Sequence, residues 1–108
     1  MGIIDTNDAG LRRLVHHHAK VLVKFTALQC AICEQLQPIF ELFGTNQAYA
    51  DIAFLRLTAD QNPVAQQLMN QHAAPFFVSY CQGRLVHCAT LYTEQQLRAQ
   101  LNSLQAYQ

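Results

Sequence analysis

One change of period constrains this chain more than anything else in it. An apolar run, Val21-Leu22-Val23-Lys24-Phe25, gives way within a few residues to a helical pattern, Glu34-Gln35-Leu36-Gln37-Pro38-Ile39-Phe40, and Cys30 and Cys33 stand at the junction. The pattern predicts a buried strand that feeds a helix, with a CxxC pair at the helix start. Two thiols three residues apart there share a face within disulfide reach, and the unpaired N–H groups and the helix dipole favour a thiolate. The chemistry implied is thiol-disulfide exchange, with Cys30 as the more exposed nucleophile and Cys33, one turn in, as the resolving thiol.

The rest of the chain alternates in the same way. Ile3-Ile4 reads as an edge strand, although Gly2 followed by Thr6 also fits the loose pattern for N-myristoylation. Asp5-Thr6-Asn7-Asp8 supplies capping side chains for a helix over residues 6 to 18, carried by Leu11, Leu14 and Val15. After a strand at 21 to 26, the helix from Cys30 puts Leu36, Ile39, Phe40 and Phe43 on one stripe, with a kink expected at Pro38 and an end near Gly44 and Asn46. Ile52-Ala53-Phe54-Leu55-Arg56-Leu57 predicts a second central strand. Asp60-Gln61-Asn62-Pro63 offers a cap and an N-terminal proline for a short helix over 63 to 71. Phe76-Phe77-Val78-Ser79-Tyr80-Cys81, a Gln82-Gly83 turn and Leu85-Val86-His87-Cys88 form an antiparallel hairpin. Thr93-Glu94-Gln95-Gln96 matches a capping box ahead of Leu97, Leu101 and Leu104. The order βαβαβαββα predicts an α/β fold, a mixed five-stranded sheet flanked by four helices.

Composition sets the outer limits. A chain of 108 residues, 51% of them hydrophobic, suits one soluble domain over 1–108. Seven basic residues balance seven acidic ones, with no large block of either sign, which argues against a grip on nucleic acid or an anionic membrane. No run is long enough to cross a bilayer and the N-terminal residues lack a signal-peptide pattern, so a cytoplasmic location is expected.

These elements resemble the thioredoxin family over essentially the whole chain. The strand leading into Cys30, Pro38 at the family's helix-kink position, the Asp60-Gln61-Asn62-Pro63 segment, Pro75 at the family's cis-proline position and Gly83 eight residues later all fall in place. The resemblance implies that a bend at Ala74 and Pro75 lies beside Cys30, where a substrate strand can pair. It also exposes departures. Thioredoxins typically have WCGPC, preceded by a further tryptophan; here Gln29 precedes Cys30, Ala31 and Ile32 fill the pair, and the chain has no tryptophan. Lys24 stands where the family commonly places a buried aspartate that handles the proton of the second cysteine, Arg56 stands at a neighbouring lysine position, and Leu91 replaces a glycine of the substrate groove.

Lys24 is the sharpest anomaly, because a cation in a buried strand must be paired, neutralised or solvated. An amine that approaches Cys33 favours its thiolate and makes the disulfide more oxidising; the alternatives are a lysine that snorkels outward or pairs with Glu34 or Asp60. Cys81 and Cys88 are expected as small buried strand residues, with Cys81 opposite residues near 84 or 85 and Cys88 opposite residues near 77, and so not bonded to each other. His16-His17-His18 ends a helix and, like His72 and His87, carries no expected metal site.

The leading functional reading is a disulfide oxidoreductase that acts on protein disulfides or dithiols through Cys30 and Cys33. It uses no bound cofactor and no metal, works as a monomer without nucleic acid or membrane, and draws electrons from a reductase or small-thiol donor. The alternative is a binding or adaptor module that keeps the pair but turns over poorly. A metal chaperone is a third, remoter class.

Overall fold

The computed structural model describes residues 2–60, 62–70 and 72–107. Gln61, within the capping segment, and residue 71, the expected end of the third helix, lie outside the described residues. The elements run β1 (Ile3–Asp5), α1 (Asp8–His17), β2 (Lys20–Thr26), α2 (Ala31–Thr45), a 3-10 turn (Gln47–Tyr49), β3 (Ala53–Thr58), α3 (Pro63–Met69), β4 (Phe76–Cys81), β5 (Arg84–Thr90) and α4 (Glu94–Ala106). This is the predicted alternation with one 3-10 turn added. The sheet order is β1-β3-β2-β4-β5. β1, β3 and β2 are parallel, and β4 and β5 are each antiparallel to their neighbour.

β2 lies at the centre of the sheet, and its two faces feed two separate cores. Val21, Val23 and Phe25 point to the side covered by α1 and α3, where they meet Leu11, Val15, Ala65 and Met69. Leu22 points to the other side, where Leu36, Phe40 and Phe43 of α2 and Leu97, Leu101 and Leu104 of α4 close over it. The period-2 alternation of a strand thus sends Lys24, two residues after Leu22, beneath α2.

The helix ends show what sequence patterns resolve and what they miss. Asn7 caps α1, its Oδ1 accepting from the Gly10 N–H at 2.9 Å. Thr93 and Gln96 form the reciprocal capping box expected for α4. For α3, Pro63 takes the first turn, but the Asn62 side chain makes no cap bond. The cap comes instead from α1, where the Asp8 carboxylate accepts from the N–H groups of Val64 at 2.8 Å and Ala65 at 3.1 Å. Asn62 returns the favour, accepting from the Asp8 N–H at 3.0 Å. α2 ends where Gly44 and Asn46 predict, at Thr45 with Asn46 as its C-cap. A Cβ at Gly44 would come within 2.8 Å of Ile3 Cδ1, so the glycine also leaves room for β1.

The hairpin turns at Gln82 (φ 54°) and Gly83 (φ 78°), both left-handed as a tight two-residue turn requires. Cys81 faces Arg84 and Cys88 faces Val78, both as expected, with a register shift between Ser79 and Tyr80. Cys88 is exposed, which corrects the expectation of a buried residue: it lies on an edge strand opposite Val78, on the face away from α4, while Val86 and Ala89 of the same strand pack against the α2/α4 core.

Candidate functional site

The site forms at the C-terminal end of the parallel strands, where β2 gives way to α2. Gln29 adopts the left-handed conformation (φ 56°), costly for a residue with a Cβ, and turns the chain into the helix. Cys30 follows as the N-cap of α2, its Sγ accepting from the Cys33 N–H at 3.1 Å. The sulfur therefore occupies the place of a capping oxygen, at the positive end of the helix dipole. The two cysteines are joined in a disulfide with Cα atoms 5.2 Å apart. Cys30 is half-buried and Cys33 is 4% exposed, the asymmetry expected of an attacking and a resolving thiol.

Beside the disulfide opens a groove of about 450 Å³, lined by Lys24, Leu28, Gln29, Cys30, Cys33 and Arg56 among others. Lys24 is fully buried. It neither snorkels outward nor meets Glu34 or Asp60. Its Nζ donates to the Cys33 carbonyl at 2.7 Å and to Gln37 Oε1 at 2.7 Å, and it lies 5.6 Å from the centre of the Phe40 ring. Gln37 Nε2 in turn donates to Glu41 Oε2 at 2.9 Å, which links the buried amine to a surface carboxylate. Burial, with repulsion from Arg56, lowers the Lys24 pKa to about 8, and attraction to Glu41 opposes part of that. Arg56 faces Lys24 across the β2–β3 register but is turned toward Asp5, with Nε and Nη2 donating to its two carboxylate oxygens at 2.6 and 3.0 Å. That pair holds the guanidinium pKa above its ordinary value.

The other residues singled out in the sequence surround this centre without lining the groove. Ala31 is exposed on the first turn of α2, and Ile32 is half-buried against the α2/α4 core. The Ala74–Pro75 peptide is cis. Phe76 pairs with Phe25, so Pro75 and Ala74 fall at the same end of the sheet as Cys30. Leu91 turns its side chain into the α2/α4 core, 7% exposed, and its N–H donates to the Pro75 carbonyl at 3.3 Å. Leu28, 73% exposed, gives the rim an apolar patch. Its N–H donates to Asp60 Oδ2 at 3.2 Å.

A family model described as Thioredoxin matches residues 2–103. The chain belongs to the thioredoxin family. Among curated thioredoxins, mitochondrial thioredoxin-3 of Saccharomyces cerevisiae is 31% identical over 81 residues, a match that covers 75% of this chain and 62% of the yeast protein. The thioredoxin of Ictalurus punctatus is 28% identical over 82 residues, covering 76% of this chain and 77% of its own. The crystal structure of the oxidised yeast thioredoxin 3 superposes with a TM-score of 0.83 at 25% identity, over 94% of this chain and 95% of that one. Thioredoxin membership together with the closed Cys30–Cys33 pair supports thiol-disulfide oxidoreductase activity.

The partners of Lys24 and Arg56 that sequence reasoning did not single out as site residues are Gln37, with Glu41 behind it, and Asp5. A signal for the first two was present, since Cys33, Gln37 and Glu41 recur at intervals of four and so share one face of α2. Asp5 had none, because its partner Arg56 is 51 residues away. Among the described residues no three metal-binding side chains cluster, and no helix is long and apolar enough to cross a membrane.

Proposed function

We propose that this protein exchanges disulfides with protein substrates, Cys30 attacking and Cys33 resolving, with residues 1–108 acting as one thioredoxin-like unit. The observation that carries the reading is Cys30 at the N-cap of α2, bonded to Cys33, with its sulfur accepting a helix N–H. Those donors and the dipole would stabilise a Cys30 thiolate once the bond is opened. In the reducing direction the Cys30 thiolate attacks a substrate disulfide and forms a mixed disulfide. Cys33 then attacks Cys30 and frees the substrate as a dithiol. Pro75, which has no N–H to offer, and the Ala74 backbone would receive the substrate strand beside the pair. Leu28 would supply apolar contact in place of the missing tryptophans. Electrons would come from a reductase or a small thiol, with no bound cofactor. We place the protein in the cytoplasm as a monomer; free thiols at Cys81 and Cys88 suit a reducing compartment, and the yeast relative shows that thioredoxins also serve mitochondria.

The absence of tryptophan and a lysine in place of a carboxylate favour a second reading, an adaptor of thioredoxin fold with little turnover. Reduction of insulin disulfides in the presence of dithiothreitol separates the two. We expect activity that Cys30→Ser abolishes, and a trapped substrate adduct in Cys33→Ser. A wild-type rate equal to that of Cys30→Ser would hand the case to the adaptor.

A further inference from the structure

This inference rests on the oxidoreductase reading and concerns what sets the direction of exchange. With the disulfide closed, Lys24 is a buried cation whose two partners, the Cys33 carbonyl and Gln37 Oε1, are both neutral. Among the described residues no carboxylate forms an ion pair with it. Two neutral acceptors offset only part of the cost of taking an ammonium group out of water. Among the described residues no neighbouring element supplies the missing anion; on α4, which also packs on β2, Glu94 is paired with Arg98. On β3 the register partner is Arg56, a like charge that Asp5 of β1 draws outward. On β4 the register partner is Phe77. On α2, Phe40 presents its ring, Glu41 reaches the amine only through Gln37, and Glu34 is exposed on the groove's rim. The remaining titratable groups of the groove are Cys30 and Cys33 themselves, and they carry a charge only when the disulfide is open.

We propose that Lys24 is a positioning residue of the redox couple: its ammonium group awaits the Cys33 thiolate, so that reduction completes an ion pair the disulfide form lacks. The couple is thereby biased toward its dithiol form, and the closed disulfide is the more ready to accept electrons. In the resolving step the Cys33 thiolate attacks Cys30 Sγ of the mixed disulfide. The Cys30–Cys33 bond forms, the bond from Cys30 to substrate breaks, and the electron pair leaves on the substrate sulfur, which takes a proton from water. The substrate has gained two electrons and the cysteine pair has lost two. The same step removes the anion facing Lys24, so the amine holds its proton less tightly and can release it into the groove. Burial sets the closed form near a pKa of about 8, so this redox-linked proton exchange falls within reach of physiological pH. By linkage, whatever the thiolate does to the lysine proton, the proton does to the couple.

Two measurements test this together. The first is the equilibrium of the Cys30–Cys33 pair with glutathione, read by thiol alkylation and mass spectrometry, in wild type and in Lys24→Met and Lys24→Gln. The second is the Lys24 side-chain pKa by NMR in the oxidised and the reduced wild-type protein, which needs no variant to fold. We expect the variants to shift the equilibrium at least tenfold toward the disulfide, about 30 mV, and the wild-type lysine to titrate at least one pH unit higher when reduced. A reversible two-electron couple whose equilibrium stays within twofold in both variants, or a lysine that titrates alike in both states, overturns the inference and leaves the oxidoreductase reading standing. A pair that never opens and closes reversibly overturns both.

Discussion

On the α1/α3 side of the sheet the buried cluster is made of aliphatic and aromatic side chains with a single phenol, that of Tyr80. On the α2/α4 side, Lys24, Ser79 and Gln100 are buried among the apolar residues, and they are the three buried polar side chains of the described residues. One strand serves both: Val21, Val23 and Phe25 face the first side, Leu22 and Lys24 the second. The difference teaches where this fold tolerates polarity. The first side holds the sheet together, while on the second one of the polar groups, Lys24, hydrogen-bonds to the helix that bears the cysteines.

The comparison breaks most visibly at Leu55, which is fully buried against α1 and α3. Leu55→Ala should lower stability by about 3 kcal/mol in urea unfolding while moving the glutathione equilibrium of the pair less than twofold. A larger redox effect would mean that the first side is more than scaffold. Next comes Lys24, where the sign runs the other way. Its folded pKa of about 8 lies below its ordinary 10.5, so between those pH values the unfolded chain binds more protons than the folded one. Stability therefore rises as pH climbs from 8 toward 10.5, by up to about 3 kcal/mol. Lys24→Met should flatten that rise and gain stability at pH 7, since an apolar side chain of similar length replaces a charge without a counter-ion. Urea titrations of the two proteins at pH 7, 8 and 10 read this directly; parallel curves would show that the amine's pKa is not lowered in the folded protein. The smallest effect belongs to Ser79→Ala. Gln100 Nε2 donates to Ser79 Oγ at 2.8 Å and to the Phe77 carbonyl at 3.3 Å, while its Oε1 has no partner among the described residues. Losing the hydroxyl should cost about 1 kcal/mol with the redox equilibrium unchanged, which separates polarity that serves packing from polarity that serves the disulfide.

Most of the architecture was legible because it depends on short-range periodicity. The alternation of elements, the Thr93 capping box and the turn at Gln82 and Gly83 each follow from residues close in sequence. The rest depends on where distant segments meet. Gly44 sits at the helix end as its pattern suggests, but its second role, making room for Ile3, 41 residues earlier in the chain, has no local signal. Cys88 looked buried on pattern alone, yet its place on an edge strand, on the face away from α4, leaves it exposed. The site divides in the same way. Cys30 and Cys33 announce themselves, and the oddity of Lys24 is plain from its place in a buried run. Its resolution is only half legible: Gln37 shares a face of α2 with Cys33, but a strand's period cannot say which turn of that later helix will lie above Lys24.

The Asp8 carboxylate that closes the first turn of α3 also ties together two parts of the chain that a protease or an exchanging solvent would otherwise meet separately. α3 is only seven residues long, too short to persist alone, and two of its leading amides are held by a residue at the start of α1. Opening of the N-terminal helix should therefore fray α3 with it, and the backbone amides of Val64 and Ala65 should exchange together with the start of α1.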